Sequence, residues 1–315
     1  MSNFKNKFIP ILGLPKLNFE NYKMKRRDFI TQTASIAAFA AFAPTDFFID
    51  KKTPLGIQLW SVRDDMAKNP ATTLKAISKL GFNYVEGFGY SGGKWFGLTA
   101  KEMKKNLAGS GLTMPSSHIN ITSKVYDKAK SSLTDDFKTA VADALIVGQK
   151  YLINPWLVDE DRTPEGIKNL CEAMNKAGEY CKNNGIKFGY HNHWFEFELK
   201  VDDILLYEYI LKNTDAALVT QEKDMCWATY AKQNPVDWFK KYPGRFELAH
   251  MKDVSNIGGD KVSSIVGEGL VDFKVILDNQ KLAGLKMLIV ELENYRTTPL
   301  QDVGVSLKNL KKMMV

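Results

Sequence analysis

Residues 163–193 read TPEGIKNLCEAMNKAGEYCKNNGIKFGYHNH, and this stretch decides the fold. Thr163 followed by Pro164 marks a helix start. The hydroxyl accepts from first-turn amides, and a proline at the first helical position gives up an N–H that has no partner there anyway. Ile167, Leu170, Cys171, Met174, Ala177 and Cys181 then recur at helical spacing and define one apolar face over Pro164–Asn183. Gly185 offers the left-handed residue that closes such a helix. Ile186–His191 is a short β-rich run that ends on a histidine. The unit is therefore a long amphipathic helix feeding a buried strand.

The same unit recurs in both directions along the chain. Strands are expected at Leu55–Trp60, Asn83–Phe88, Leu112–His118, Tyr151–Pro155, Ile186–His191, Ala216–Glu222, Phe246–His250 and Lys286–Glu291. Helices are expected between them at Thr72–Leu80, Thr99–Ser110, Thr134–Gly148, Pro164–Asn183, Asp202–Leu211, Pro235–Lys241 and Phe273–Leu282, with Pro299–Lys312 last. Gly81 and Gly111, like Gly185, stand where a helix ends before a strand. Eight βα units with no hairpin signal imply a parallel sheet, and that number favours closure. The expectation is one α/β domain, a single (β/α)8 TIM barrel, a fold of roughly 250 residues. No G-x-G-x-x-G follows the first strand, which argues against a dinucleotide fold.

The chain has 315 residues, 44% hydrophobic and 25% charged, ample for such a core. Its net charge of +7 is unevenly spread. Residues 1–43 hold seven basic and two acidic residues, +5 of the total, which leaves +2 for the body. That excludes a strongly basic body of the kind that binds polyanions. Lys25-Arg26-Arg27 precedes an Ala-rich apolar run, and Ala41-Phe42-Ala43 has the form of a cleavage site. Residues 1–43 are thus expected to be a twin-arginine-type export leader, with a periplasmic mature barrel over 44–315 that meets a membrane only during export. Cys171, Cys181 and Cys226 are too few for a secreted disulfide framework, and the two helical ones are expected as buried thiols.

Active sites of such barrels are built at the C-terminal ends of the strands. All four histidines, His118, His191, His193 and His250, fall there, beside Asp224 and Glu291. Imidazoles mixed with carboxylates suit one divalent ion, Mn, Zn, Co, Fe or Mg. Trp60, Trp156, Trp194 and Trp227, four of the six tryptophans, lie at or just past the same ends. Flat aromatic faces next to polar groups suit sugar rings. Gln58, Glu86 and Glu196 supply the hydrogen-bonding groups of that expected sugar site.

These residues resemble the xylose isomerase-like TIM-barrel family, the sugar phosphate isomerases/epimerases. The matching segments are Gly56-Ile-Gln-Leu-Trp-Ser-Val-Arg63, Gly81-Phe-Asn-Tyr-Val-Glu86, Tyr190-His-Asn-His-Trp-Phe-Glu-Phe197, His250-Met-Lys-Asp253, Val266-Gly-Glu-Gly-Leu-Val-Asp272 and Ile289-Val-Glu291. The resemblance implies one metal held by Asp224, His250 and Glu291 with a ligand from the fifth strand. Many members carry Glu-x-His on that strand, whereas this chain has His191-Asn192-His193. Alternation puts both histidines on one face, so both stand as ligands.

That departure bears on mechanism. Members that epimerise use two opposed metal-bound carboxylates, and only Glu291 survives here. The expected activity is a metal-dependent isomerase or epimerase that abstracts a proton next to the carbonyl of a non-phosphorylated sugar, polyol or keto-glycoside. Glu291, His118 and Lys252 are the expected catalytic residues. A sugar lyase or hydrolase and a non-catalytic sugar-binding barrel are the alternatives. An endonuclease IV-like nuclease is a remote one, since four histidines, a body charge of +2 and export all disfavour it and no nucleic-acid partner is expected. The sequence carries no signal of oligomeric state.

Overall fold

The computed structural model describes residues 50, 52–257 and 262–314. The expected leader and its cleavage site lie outside the described residues.

Eight parallel strands close into a barrel in chain order: β1 Leu55–Gln58, β2 Tyr84–Gly87, β3 Thr113–His118, β4 Tyr151–Asn154, β5 Lys187–His191, β6 Val219–Asp224, β7 Leu248–Met251 and β8 Met287–Val290. Closure is made by β1, whose Gly56 sits beside Tyr84 of β2 on one side and beside Ile289 of β8 on the other. The principal helices of the jacket are α1 Pro70–Leu80, α2 Ala100–Ala108, α3 Asp135–Val147, α4 Pro164–Asn183, α5 Leu206–Asn213, α6 Pro235–Lys241, α7 Phe273–Asp278 and α8 Pro299–Met313.

Local chemistry starts these helices, at Thr163 as the sequence signalled and at Thr99 by a box the sequence reading did not name. Thr163 accepts from the Gly166 amide ahead of Pro164, and Thr99 forms a reciprocal capping box with Glu102. Each such cap contributes about 0.5–2 kcal/mol. Helix α4 buries Ile167, Leu170, Cys171, Met174, Ala177 and Cys181, so both cysteines are free buried thiols. Gly178 lets this helix press on the barrel, because a Cβ there would stand 2.7 Å from the Leu218 carbonyl oxygen.

Strand alternation builds the floor and the site from the same faces. Tyr84, Ile153, Leu248, Met287 and Ile289 form an apolar cluster. Two residues further along the same strands stand Glu86, His250 and Glu291. Gly56 leaves room for the floor, since a Cβ would meet the Tyr84 ring at 2.0 Å. The Tyr84 hydroxyl donates to the Leu288 carbonyl at 2.8 Å.

Several boundaries differ from the sequence expectation, each for a local reason. Trp60 belongs to a short 3-10 helix, Leu59–Val62, because the Gln58 side chain accepts from the Trp60 amide and turns the chain. Strand β6 starts at Val219 and runs through Asp224, because Asp215 holds residues 215–218 in a turn through its bonds to Ala217 and Val219. The helix expected from Asp202 begins at Leu206. Asp202 and Asp203 instead turn a hairpin with positive φ of 50° and 65°. The helix expected over Phe273–Leu282 breaks at Asn279. Among the described residues, four two-stranded antiparallel pairs stand outside the barrel, 94–95 with 98–99, 126–127 with 132–133, 200–201 with 204–205 and 253–254 with 263–264, where none was expected. Their strands are two residues long, too short to show an alternating pattern.

Candidate active site and metal centre

The chemistry begins with β6. Its inward residues are Thr220, Glu222 and Asp224, and the last caps the short helix Met225–Tyr230. Asp224 accepts from the Trp227 amide through Oδ1 at 2.7 Å, which fixes the carboxylate. Its Oδ2 is buried with no hydrogen-bond partner. Around that oxygen stand the other three donors. His191 Nε2 is 3.5 Å away and His250 Nδ1 3.8 Å away. His250 Nδ1 in turn lies 3.1 Å from His191 Nε2 and 3.0 Å from Glu291 Oε2. All four ligand atoms fall within 4.8 Å of one another.

This geometry fits a metal. Donors about 2.0–2.3 Å from a common centre stand roughly 3–4 Å from each other. Burial holds His191 well below the ordinary imidazole range, with the neighbouring His250 and His118 adding to the effect, so its lone pair is available. Of the two fifth-strand histidines left open by the sequence, His191 joins the cluster. His193 stands half-buried on the cleft wall, stacked at 11° on Phe195.

A second buried group lies beneath and beside this one. Glu86 Oε2 receives His250 Nε2 at 2.7 Å and Gln58 Nε2 at 2.8 Å, and its Oε1 receives the Ser116 hydroxyl. His118 Nε2 lies 2.7 Å from Glu222 Oε2 and 3.3 Å from Glu86 Oε2. Burial disfavours a charged His118, but the two carboxylates overcome it and push its pKa up to about 9. Burial, and then the neighbouring Glu86, raise Glu222 to about 7. Glu86 itself lies well below the carboxylate range, because His118 and His250 outweigh its burial. His250 thus points one nitrogen at the metal cluster and the other at Glu86, the outer bond that orients a ligating imidazole.

Lys252 is fully buried under the cleft. Its ammonium contacts Glu293, lies 3.3 Å from Glu291 Oε2 and sits 4.5 Å from the centre of the Trp227 ring. From the sequence, Lys252 is either a mouth residue or a salt-bridge partner of Glu291 or Glu222; the fold gives the pairing with Glu291 and adds Glu293. Burial would raise Glu291, yet Lys252 and His250 hold it well below the usual range.

The mouth is a cleft of about 360 Å3 walled by Trp60, Phe88, Tyr90, Trp156 and Trp227, with His118, His191, His193, Glu291 and Glu293 reaching it. Trp60 and Trp156 are 41% and 37% exposed, as expected of rings that meet a ligand. Trp194 packs at a 44° tilt on Trp227, ring centres 4.8 Å apart, outside the cleft lining. Gln58 and Glu86 are buried beneath the cleft. Glu196 is also buried off the wall, where it accepts from the Tyr190 hydroxyl at 2.7 Å and the His193 amide at 2.9 Å; burial pushes it up to about 7.

The sequence places Asn120, Glu222 and Glu293 at the same strand ends but gives them no role in the site, and it does not place Tyr90 there at all. Glu222 was within reach of it, since it precedes Asp224 by two residues on one strand face. Tyr90 and Asn120 come from loops whose course only the fold sets.

A family model described as xylose isomerase-like TIM barrel matches residues 74–313. An inosose dehydratase from Clostridium perfringens is 25% identical over 229 residues, 61% of this chain and 73% of its own length. The crystal structure of a sugar phosphate isomerase/epimerase from Parabacteroides distasonis superposes with a TM-score of 0.70 at 28% identity, over 84% of this chain and 96% of that one. The IolI protein, solved with a zinc atom bound, gives 0.67 at 16% identity, over 83% and 98%, and shares the fold.

Proposed function

As the chain belongs to the xylose isomerase-like TIM-barrel family, we propose that it is a metal-dependent lyase acting on an uncharged keto-sugar or keto-polyol. The observation that carries this reading is the convergence of His191, Asp224, His250 and Glu291 beside a charged His118 on one aromatic cleft. The inosose dehydratase relative supports elimination over the isomerase or epimerase expected first. So does the chemistry. An epimerase of this family needs two opposed carboxylates on its metal, and His191 stands in place of one of them.

His191, Asp224, His250 and Glu291 would hold the ion. A divalent ion there polarises a carbonyl and makes the neighbouring C–H more acidic. The contacts of Glu291 with His250 and Lys252 run through Oε2, and Oε1 is the oxygen that would take the hydrogen. The electron pair of that C–H bond becomes the new C=C bond. The C–O bond one carbon further breaks, and His118, protonated at neutral pH, gives its proton to the departing oxygen. The product is a conjugated enone plus water or an alcohol. Among the described residues the cleft lining contains no Lys or Arg, the side chains that usually grip a phosphate, and Glu291 and Glu293 reach it instead.

The test is incubation of zinc- or manganese-loaded protein with 2-keto-inositols and 3-keto-glucosides. Expected are enone absorbance and loss of one water or alcohol by mass, abolished by chelation. Exchange of the carbon-bound hydrogen with deuterated solvent and no loss of water would return the isomerase. Keto-sugar affinity that survives chelation, with no product, would leave a binding barrel.

A further inference from the structure

Beside the cleft lies a second cavity that the proposed chemistry does not use. It has a volume of about 600 Å3 and runs between the loop after β2, the loop after β3 and the first turns of α3. Tyr90 and Asn120 line both the cleft and this groove, so the two adjoin across these side chains. The cleft alone, at about 360 Å3, lies near the small end of the usual ligand-site range, roughly 300–1,000 Å3.

The shared wall is rigid. Tyr90 donates to Asp143 at 2.6 Å, and its ring packs on Trp95 with centres 4.5 Å apart. The floor is apolar, with Ile121, Val125 and Phe137. The rim is polar and uncommitted. Asn120, Lys124, Asp136 and Thr139 are exposed, and none spends its side chain on a hydrogen bond within the described residues. Lys124 and Asp136 carry opposite charges, so the groove has no net charge to offer an ionic ligand. An aromatic wall, an apolar floor and free hydroxyl, amide and charged groups are what a pyranose ring asks for: stacking on its C–H face and bonds to its hydroxyls.

We propose that this groove is a subsite for a second, uncharged ring, joined to the ring that sits in the cleft. Tyr90 is the partition between the two rings, and Asn120 reaches the linkage. The substrate is then a two-ring glycoside rather than a single sugar or inositol. This rests on the keto-sugar reading for the cleft, but the subsite itself is read by binding and needs no turnover.

The experiment compares uncharged one-ring ligands with their own two-ring extensions by isothermal titration, on zinc-loaded protein. The panel is methyl glucoside and methyl galactoside against the methyl glycosides of cellobiose, maltose and lactose. The wild type is expected to bind at least one two-ring ligand about tenfold or more tighter than its one-ring half. Thr139→Trp fills the groove from an exposed helical position and should erase that gain while the one-ring affinity stays. Asn120→Ala should reduce it in part. Circular dichroism and the retained one-ring binding report the fold. No gain for any two-ring ligand, or a gain untouched by Thr139→Trp, overturns the subsite. A subsite that holds while the enone assay fails would refute only the lyase reading.

Discussion

Glu86→Gln probes the link between the two buried groups. Glu86 accepts from four donors, and three of them, Gln58, His250 and His118, meet at Oε2. The amide can keep its oxygen there and turn its nitrogen toward Ser116, whose hydroxyl can rotate to accept, so the fold is retained. What disappears is the charge. A neutral acceptor grips His250 Nε2 less firmly, and the Nδ1 lone pair aimed at the metal cluster loses both orientation and basicity. Loss of such an outer partner costs about 10–100-fold in metal affinity, which is about 1.4–2.7 kcal/mol. His118 responds as well. Its pKa of about 9 stands about 2.5 above the ordinary 6.5, and Glu86 is the first of the two carboxylates that put it there. Removing that charge should lower it by at least about one unit, near 1.4 kcal/mol. Zinc affinity is measured by competition with a chromophoric chelator, and His118 by imidazole NMR on the metal-free protein. Zinc affinity within about threefold of wild type, together with a His118 titration still near 9, would refute the orienting role.

Glu291→Gln should abolish elimination, and His118→Asn should lower kcat by about 10²–10⁴-fold, the span for one general acid; single-turnover assays of both variants against a keto-sugar check this. Glu247, at the opposite end of the barrel, contacts Lys187, lies 3.0 Å from Lys286 and accepts from the Tyr151 hydroxyl at 2.8 Å. Burial alone would raise it, but the lysines hold it below its ordinary 4.5. Its stabilisation is therefore complete above 4.5 and is lost as pH falls through the lowered value. Glu247→Gln should cost about 1.5–3 kcal/mol at neutral pH, nearer the lower figure because Lys286 is half exposed. The deficit should shrink in acid, and urea unfolding at the two pH values measures it. Replacing Arg26 and Arg27 by Lys should retain the precursor in the cytoplasm, read by fractionation, if the leader follows the twin-arginine route.

The sequence by itself determined the architecture. Periodicity is a local property, so helix faces such as Ile167–Cys181 and strand runs such as Ile186–His191 were legible from spacing alone, and eight of them in alternation leave few topologies. The strand ends likewise put Asp224, His250 and Glu291 at one end of the barrel, and the family resemblance marked them as ligands. Tertiary structure decided which of those neighbours touch. Whether His191 or His193 joins the cluster depends on how the chain turns after β5, where Glu196 holds the His193 amide from below. For Lys252 the sequence leaves a mouth position and a salt bridge to Glu291 or Glu222 both open, and the fold decides by setting Glu291, Glu293 and Trp227 around it. The raised pKa of His118 needs Glu86 and Glu222, which lie 32 residues before it and 104 after it along the chain and meet only across the closed barrel. Electrostatics between side chains falls with distance in space, not along the sequence, so no local pattern encodes it. The groove beside the cleft follows the same rule, since its walls are loops brought together only by the pairing of β2 with β3.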